Sequence, residues 1–331
     1  MPLQISTPGA ICSPRDAGAA SFSRKSTTIA LNQTESDTSA IVVDFLLNDA
    51  APASLGEQIA PGVDIWSGTP RSYTVYVPRA YDPAEPMPLV LALHGRGGNG
   101  RGMAYLSNFN ELAEREGIIV VYPDGLNREW SYLDRGPDDV GFLTRLVDDV
   151  ARDLAVDPQR VYVTGFSNGG FMTQRLACEA PDTFAAFASV GATLSPNFVS
   201  LCEGAPAVPI LLMHGTADPI VAWTGASYSG MVIAASMPDT AIFWAEHNQC
   251  DPEQVVREDV PKADPDAPTQ VHRYHIAGCA DRGFVQYNVV EGGGHTLPGV
   301  AGRLTDVGET NMDINTADEL WAFFAGHPLD D

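Results

Sequence analysis

Lysine is nearly absent from this sequence, which contains only Lys25 and Lys262. Its 42 aspartate and glutamate residues outnumber 19 lysine and arginine residues, giving a formal net charge of -23. A surface this acidic repels nucleic acid and anionic lipid, so neither is expected as a partner. The surface also repels itself, and salt screens that repulsion. Two interpretations remain open: a halophilic source in which stability rises with salt, or an ordinary acidic secreted protein.

Long hydrophobic runs are also missing. No apolar stretch approaches the roughly 20 residues that a transmembrane helix needs, so no membrane span is expected. The longest candidates, Leu89 to Leu93 and Ile210 to Met213, have the length of buried strands. The 331 residues, 44% of them hydrophobic, suffice for one large domain or two small ones. The 31 glycines and 25 prolines indicate many tight turns and disfavour a helical bundle.

None of the five cysteines shows C-x-x-C spacing, which disfavours a zinc site or a redox dithiol. We therefore expect no metal. Cys12 lies in the N-terminal segment and is interpreted as incidental. The other four can form two disulfides in three ways, which would suit an oxidising compartment, or they can remain buried thiols. These four are Cys178, Cys202, Cys250 and Cys279.

The sequence divides into two unlike parts. Residues 1–60 are rich in Ser, Thr and Ala and lack periodicity, which predicts a poorly ordered tail or a processed leader. One short apolar piece, Ile41 to Leu47, interrupts this segment. Its beginning lacks the basic and apolar regions of a signal peptide. Residues 61–331 are predicted to form the folded domain.

In this second part, buried strands alternate with helices. Continuous apolar strands of this kind favour an α/β fold with a mostly parallel sheet and helices on both faces. Ligands bind such sheets beyond the carboxyl ends of the strands. The predicted strands are Tyr73 to Val77, Leu89 to Leu93, Ile118 to Tyr122, Val161 to Thr164, Phe184 to Val190, Ile210 to Met213 and Val285 to Val290. The predicted helices are Val140 to Leu154, Gly170 to Cys178, Asp239 to Asn248 and Asn315 to Phe324, with Asp239 and Asn315 as N-caps.

A G-x-S-x-G motif, Gly165-Phe166-Ser167-Asn168-Gly169, lies between the strand that ends at Thr164 and a predicted helix. In a strand-to-helix turn, the glycines remove clashing side chains and the serine hydroxyl is held exposed in a strained conformation. The motif alone is weak, but this context is the one it requires. It predicts Ser167 as a nucleophile, the alternative being a structural Gly-Ser turn.

A serine nucleophile needs a base and an acid that orients the base. His295 lies in a glycine-rich loop directly after the strand Val285 to Val290, which predicts it as the base. Asp218 follows the strand Ile210 to Met213 and precedes His295, so the order of serine, acid and histidine fits an α/β-hydrolase. The alternative for Asp218 is a residue of an Asp-Pro turn. His94 and His214 each begin a His-Gly turn and are interpreted as braces of those turns.

An oxyanion hole needs two donors placed in advance. The backbone N–H of Asn168, the residue after the nucleophile, is the first. The second is predicted in the glycine-rich loop after Leu93, with the Arg96 N–H preferred and the Gly97 N–H next. The same loop lacks the pattern of a P-loop or a dinucleotide fingerprint, so a phosphate site is not expected.

Several blocks of the sequence resemble, in order, those of the esterase family that includes polyhydroxybutyrate depolymerases and feruloyl esterases. The likeness extends from about residue 70 to 325. The blocks are Leu93-His94-Gly95, Asp138-Asp139-Val140-Gly141-Phe142, Gly165-Phe166-Ser167-Asn168-Gly169-Gly170-Phe171-Met172, His214-Gly215-Thr216-Ala217-Asp218 and Gly293-Gly294-His295-Thr296-Leu297-Pro298-Gly299.

The resemblance implies an extracellular α/β-hydrolase that acts on esters without a cofactor. It also implies disulfides Cys178–Cys202 and Cys250–Cys279. Leu297 stands where relatives often have Trp, which implies a more open acyl site. Trp130 and Trp223 are candidates for lining the cleft, the alternative being core or surface tryptophans.

The expected function is therefore a serine ester hydrolase. Phenolic esters such as feruloyl groups rank first, ahead of acetyl esters of cell-wall polysaccharide and hydroxyalkanoate polyesters. The expected protein is a monomer or a weak homo-oligomer. Two alternatives remain: a peptidase or thioesterase on the same fold, and a catalytically silent homologue that binds a polymer.

Overall fold

The described part of the chain begins at a short strand and then covers most of the predicted folded domain. In the computed structural model, the described residues are 41–45, 71–133, 136–196, 199–228, 231–251, 253–300, 304 and 307–329. Of the predicted N-terminal tail, only Ile41–Phe45 is among them, as a strand; the rest of the tail, including Cys12, lies outside the described residues. The division of the chain at residue 60 stays a prediction.

A ten-stranded sheet organises the described residues. Its order is β1-β2-β4-β3-β5-β6-β7-β12-β11-β10, and a separate hairpin is formed by β8 and β9. The strands are β1 (Ile41–Phe45), β2 (Tyr73–Val77), β3 (Met87–Leu93), β4 (Ile119–Pro123), β5 (Val156–Phe166), β6 (Ala186–Val190), β7 (Pro209–Gly215), β8 (Ala226–Tyr228), β9 (Met231–Ala234), β10 (Val255–Asp259), β11 (Gln270–Ile276) and β12 (Phe284–Glu291).

The six central strands, from β4 through β12 in the sheet order, pair in parallel, and the two edges pair antiparallel. The expectation of a mostly parallel sheet is confirmed. Every residue of β4, β6 and β7 is buried, as an apolar strand covered on both faces requires. The carboxyl ends of the central strands therefore meet at one edge of the sheet, where the candidate site residues lie.

Six α-helices among the described residues cover the two faces. They are α1 (Gly100–Ser107), α2 (Phe109–Glu116), α3 (Asp139–Asp153), α4 (Asn168–Glu179), α5 (Met237–His247) and α6 (Thr316–Ala325). Asn315 caps α6 as predicted, its side chain accepting from the Ala317 amide at 2.9 Å. Asp239 was the predicted cap of α5, and this is wrong: the cap is Ser236, whose Oγ accepts from the Asp239 amide.

Side chains alternate along β3 between two hydrophobic cores, as the two-residue period of a strand dictates. Leu89, Leu91 and Leu93 belong to the core beneath α3, α4 and α5, whereas Val90 and Ala92 belong to the core beneath α1, α2 and α6. Both faces of the sheet are thus sealed, which makes the strands a rigid support for residues at their ends.

Two disulfides lie at the end of the sheet opposite the candidate site. One joins Cys178, in the last turn of α4, to Cys202, which precedes β7. The other joins Cys250, which follows α5, to Cys279, which precedes β12. This is the pairing that the family resemblance implies. Within the described residues, no helix has the length and hydropathy that a membrane crossing requires.

Candidate active site

The candidate nucleophile lies on a sharp turn between β5 and α4. Ser167 adopts φ 56° and ψ -116°, a strained conformation for a residue with a side chain. The turn is possible because glycines lie two residues before and two residues after Ser167. A methyl group at Gly165 would lie 2.2 Å from the carbonyl oxygen of Gly169, and one at Gly169 would lie 2.4 Å from that of Leu93.

Asp218 and His295 form a hydrogen bond at the ends of two adjacent parallel strands. β7 leads to Asp218, β12 leads to His295, and Nδ1 of His295 lies 2.6 Å from Oδ2 of Asp218. A carboxylate only accepts, so Nδ1 carries the proton and donates it. In the neutral ring, Nε2 of His295 then keeps its lone pair, which is the form that a general base requires.

The Asp218 carboxylate is buried and held by its own turn. Oδ1 accepts from the backbone amides of Ile220 and Val221, each at 2.8 Å, and Oδ2 accepts from His295. Burial alone would raise the pKa of Asp218. The hydrogen bond and charge of His295 and the two amides outweigh burial and hold that pKa below its usual value, so the acid stays ionised at neutral pH.

Gly191, just past the end of β6, lets the base approach the nucleophile turn. The Ser167 amide donates to the Val190 carbonyl at 2.8 Å, and the His295 ring lies 4.7 Å from the Phe166 ring, measured between centroids. A methyl group at Gly191 would lie 3.0 Å from the Phe166 ring and 3.3 Å from Cε1 of His295, and φ there is 63°. The missing side chain therefore leaves room for His295 beside the residue preceding Ser167.

The predicted oxyanion loop lies against the nucleophile. A methyl group at Gly95 would be 3.4 Å from Cβ of Ser167. In the described part of the chain, the Arg96 amide has no hydrogen-bond acceptor, and neither has the Asn168 amide. The Gly97 amide, the second choice from sequence, donates to the Arg128 carbonyl at 2.7 Å and is therefore engaged.

Buried side chains hold both parts of the proposed oxyanion hole, the loop at His94 and the helix start at Asn168. Nδ1 of His94 donates to the Gly95 carbonyl at 2.8 Å, and Nε2 accepts from the Gly125 amide at 2.9 Å, so both ring nitrogens brace backbone. Burial lowers the pKa of His94, which keeps the ring neutral. The side chain of Asn168 is held in turn by Trp130, whose amide donates to Oδ1 at 2.6 Å and whose carbonyl accepts from Nδ2 at 3.2 Å.

Trp130 and Leu297, predicted from sequence to line the cleft, are both in the interior, each 2% exposed. The Trp130 indole N–H donates to the His94 carbonyl at 3.0 Å, so the ring lies beneath the oxyanion loop. Leu297 packs in the core beneath α6. This burial agrees with the core alternative for Trp130 and leaves almost no surface of Leu297 open to a substrate. Trp223 is partly exposed and stacks 6.0 Å from Tyr287 beside the Asp218 loop.

One aromatic pair near the nucleophile was missed by the sequence analysis. Tyr132 and Phe171 are both partly exposed, and their rings stack with centroids 4.8 Å apart and an interplanar angle of 24°. Phe171 lies one helical turn after Ser167, and its amide donates to the Ser167 carbonyl at 3.0 Å. Arg175, one turn further along, donates to the carbonyls of Ser131 and Leu133 and holds Tyr132 in place. The signal that was available is the i, i+4 spacing of Phe171 and Arg175 on α4.

Among the described residues, no group of three or more His, Cys, Asp or Glu side chains is arranged to hold a metal ion. The polar groups at this edge of the sheet comprise the hydroxyl of the partly exposed Ser167, the imidazole of His295, the ionised acid Asp218 and two amides without acceptors.

Comparison with known proteins points to one family. The family described as Esterase PHB depolymerase matches residues 71–203. The protein named "Putative esterase NocK" from Nocardia uniformis subsp. tsuyamanensis is 33% identical over 279 residues, covering 78% of this chain and 80% of that protein. Feruloyl esterase C of Emericella nidulans is 33% identical over 161 residues, 47% of this chain and only 57% of that protein.

Among solved structures, the acetyl xylan esterase from Aspergillus awamori aligns with a TM-score of 0.54. The alignment covers 77% of this chain and 94% of that one at 19% sequence identity, a level that shows the shared fold alone. The fold is that of the α/β-hydrolases. The chain belongs to the Esterase PHB depolymerase family of α/β-hydrolases and is a carboxylic ester hydrolase of the serine esterase type.

Proposed function

We propose that this protein hydrolyses carboxylic esters by two-step acyl transfer, with Ser167 as nucleophile, His295 as general base and Asp218 as the acid that orients it. The observation that carries the proposal is the 2.6 Å hydrogen bond from His295 to Asp218, with the His295 ring 4.7 Å from that of Phe166, the residue before Ser167 on its strained turn. No metal or cofactor is required for this chemistry, because the imidazole supplies the base and backbone amides supply the electrostatic stabilisation.

In the first step, Nε2 of His295 takes the hydroxyl proton while Oγ of Ser167 attacks the ester carbonyl. The negative charge that develops on the carbonyl oxygen is stabilised by the N–H groups of Arg96 and Asn168. Asn168 begins α4, so the positive end of the helix dipole adds to that stabilisation. The imidazolium that forms is paired with the ionised Asp218.

The imidazolium of His295 then gives its proton to the departing alcohol, which leaves an acyl group on Ser167. In the second step, a water molecule loses a proton to His295 and attacks the acyl carbonyl. Collapse of that intermediate releases the carboxylic acid and returns the proton to Oγ of Ser167. Each step thus reuses the same base and the same pair of amides.

The assignment of the nucleophile is tested by Ser167→Ala. Hydrolysis of a 4-nitrophenyl ester is expected to fall at least about 1,000-fold, because the variant retains only binding and oxyanion stabilisation. Ser227→Ala, a change at an exposed serine of the β8–β9 hairpin, serves as the matched control and should keep full activity. A fluorophosphonate probe should label the wild type and the control but not Ser167→Ala. Near-normal turnover by Ser167→Ala would refute the assignment.

We further propose phenolic esters, such as feruloyl groups on plant cell-wall polysaccharide, as the preferred substrates, ahead of acetyl esters and hydroxyalkanoate polyesters. The stacked pair of Tyr132 and Phe171 supports this order because it offers an aromatic surface one helical turn from the nucleophile. A flat phenolic ring gains about 0.5–1.5 kcal/mol from such a surface beyond its buried area, and an acetyl group gains none of this. The similarity to a feruloyl esterase agrees with it.

A panel of methyl ferulate, 4-nitrophenyl acetate and a hydroxybutyrate oligomer tests this ranking, and Phe171→Leu sharpens it. The variant should lose about 3- to 10-fold in kcat/KM for methyl ferulate and little for 4-nitrophenyl acetate, since only the first substrate carries a ring in its acyl group. An equal loss for both substrates would argue against an acyl-binding role for the pair. Parallel assays with an amide and a thioester would reveal a peptidase or thioesterase activity.

The proposed location is extracellular, which the two disulfides support because such bonds persist in oxidising compartments. The proposed assembly is a monomer or a weak homo-oligomer, and neither nucleic acid nor a membrane is a proposed partner given the net charge of -23. Sedimentation of purified protein at several concentrations would measure the assembly state.

A further inference from the structure

His214 is a buried histidine that the mechanism above leaves without a role. It is the penultimate residue of β7 and lies opposite Val289 of the neighbouring β12. Its side chain is fully inaccessible to solvent. A polar ring in such a position needs a compensating contact, so the contacts that it makes indicate what it is for.

The protonation of this ring follows from its partners. Nε2 lies 2.8 Å from the Val221 carbonyl, which can only accept, so Nε2 carries the proton. Burial lowers the pKa of His214, against the opposing effects of the Val221 carbonyl, the Asp218 charge and the Ala192 backbone. The ring is therefore a neutral imidazole with one fixed tautomer.

The 2.8 Å hydrogen bond of the ring is directed at the acid loop. The backbone of Val221 is held by two hydrogen bonds: its carbonyl accepts from Nε2 of His214, and its amide donates to Oδ1 of Asp218 at 2.8 Å. Nε2 also lies 3.4 Å from Oδ2, the oxygen that bonds His295. Nδ1 of His214 makes no hydrogen bond of good geometry among the described residues, while the Ala192 backbone acts on the ring in the direction that raises its pKa.

We propose that His214 is a positioning residue for the acid of the triad: its Nε2–H locks the Val221 peptide against Asp218 and keeps Oδ2 aimed at His295. His214 makes its 2.8 Å hydrogen bond with the nitrogen that faces the acid. The carboxylate is thereby held between the two histidines, one of which accepts the serine proton and one of which never changes its charge.

Two substitutions separate positioning from packing. His214→Phe keeps the ring volume and removes the donor, whereas His214→Gln retains an N–H near the place of Nε2. We expect kcat for a 4-nitrophenyl ester to fall about 10- to 100-fold in His214→Phe, with KM within about 2-fold, and to recover most of the loss in His214→Gln. The matched control is His327→Phe, which also removes a ring that bonds a backbone carbonyl, here that of Phe323, and should keep kcat.

The pH profile supplies a second readout. In His214→Phe, Asp218 should spend less time against His295, so the imidazolium is stabilised less and the acidic limb of the kcat profile moves to lower pH. A role in packing alone would reduce kcat or the melting temperature without moving that limb. If the variant does not fold, the downfield proton resonance of the His295 Nδ1–H group in His214→Gln should remain at its wild-type position, and its loss would contradict the proposal.

This inference depends on the proposed function, and the two can fail separately. A wild type that neither hydrolyses esters nor reacts with a fluorophosphonate would overturn the proposed function. A wild type that does both, with His214→Phe and His214→Gln equally impaired or equally unimpaired, would overturn only the role of His214.

Discussion

Two turns at the same edge of the sheet contain a His-Gly dipeptide, and each supports a different part of the proposed site. His94-Gly95 follows β3 and supports the oxyanion loop, whereas His214-Gly215 closes β7 and supports the acid. His94 uses both ring nitrogens to bond backbone groups, those of Gly95 and Gly125. His214 directs Nε2 at the acid loop, and its Nδ1 makes no hydrogen bond of good geometry among the described residues.

Gly95 and Gly215 of these two turns also differ in how closely their surroundings pack. A methyl group at Gly95 would meet its nearest neighbour, Cβ of Ser167, at 3.4 Å, an ordinary contact. A methyl group at Gly215 would lie 2.2 Å from the Gly293 carbonyl oxygen, because the acid loop and the histidine loop pack backbone against backbone. The comparison teaches that the dipeptide specifies a turn at the end of a strand, and that the neighbouring loop decides how tightly the turn is held.

The largest expected effect belongs to the second turn. Asp218→Asn should lower kcat/KM about 1,000- to 10,000-fold, because an amide in place of the carboxylate can stabilise the wrong tautomer of His295 and cannot pair with its imidazolium. Steady-state kinetics on a 4-nitrophenyl ester would measure this, with a melting curve to confirm that the variant is folded. A loss below 10-fold would mean that the acid turn matters no more to the chemistry than the oxyanion turn.

Alanine substitutions at the glycines of the two turns compare how much each turn contributes to stability. Gly215→Ala should reduce the free energy of unfolding by about 3 kcal/mol, because a contact at 2.2 Å with backbone leaves no side chain that could move away. Gly95→Ala should cost less than about 1 kcal/mol. Urea denaturation of both variants would measure the difference, and equal values would show that the acid loop is looser than its packing implies.

The pH dependence of stability should reveal both buried histidines. Burial lowers the pKa of His94 and of His214 in the folded protein, so the unfolded chain binds more protons below its own histidine pKa of about 6.5. Stability is therefore fully present above that pH and is lost as the pH falls, by up to about 1.4 kcal/mol per pH unit for each ring. His94→Gln should flatten this slope between about pH 7 and pH 5. An unchanged slope in urea titrations would contradict a neutral His94.

The smallest effect is expected at Arg96. Its proposed role belongs to the backbone amide, whereas its side chain is exposed and makes a 3.2 Å surface ion pair with Glu129. Arg96→Ala should therefore change kcat/KM by less than about 3-fold and stability by less than about 1 kcal/mol. A much larger loss would mean that the guanidinium itself contacts the substrate, which would make the first turn a binding element as well as an oxyanion loop.

The sequence predicted the central strands well because each is a continuous apolar run that ends at turn-forming residues. β2, Tyr73–Val77, has the predicted bounds, β3, β7 and β12 each extend the predicted run by a few residues, and β4 is shifted from it by one residue. Helices α1 and α2 were missed because each has only eight residues and the first begins with Gly-Arg-Gly. Their amphipathic pattern is too short to stand out from a glycine-rich loop.

The polar residues of the site were predictable because a motif fixes their order and a strand end fixes their place. The aromatic residues were not, because an indole can be buried wherever its N–H finds an acceptor. Trp130 finds the His94 carbonyl and lies beneath the loop. Nothing local to Trp130 encodes that carbonyl, which comes from a segment 36 residues away.

The two disulfides lie at the edge of the sheet where β7 and β12 begin, whereas the edge that carries the proposed triad is held by hydrogen bonds. Protein produced in a reducing compartment would therefore form the same site but lose its fold sooner during storage or heating. Expression through a periplasmic or secretory route should therefore slow inactivation of the enzyme more than it changes the initial catalytic rate.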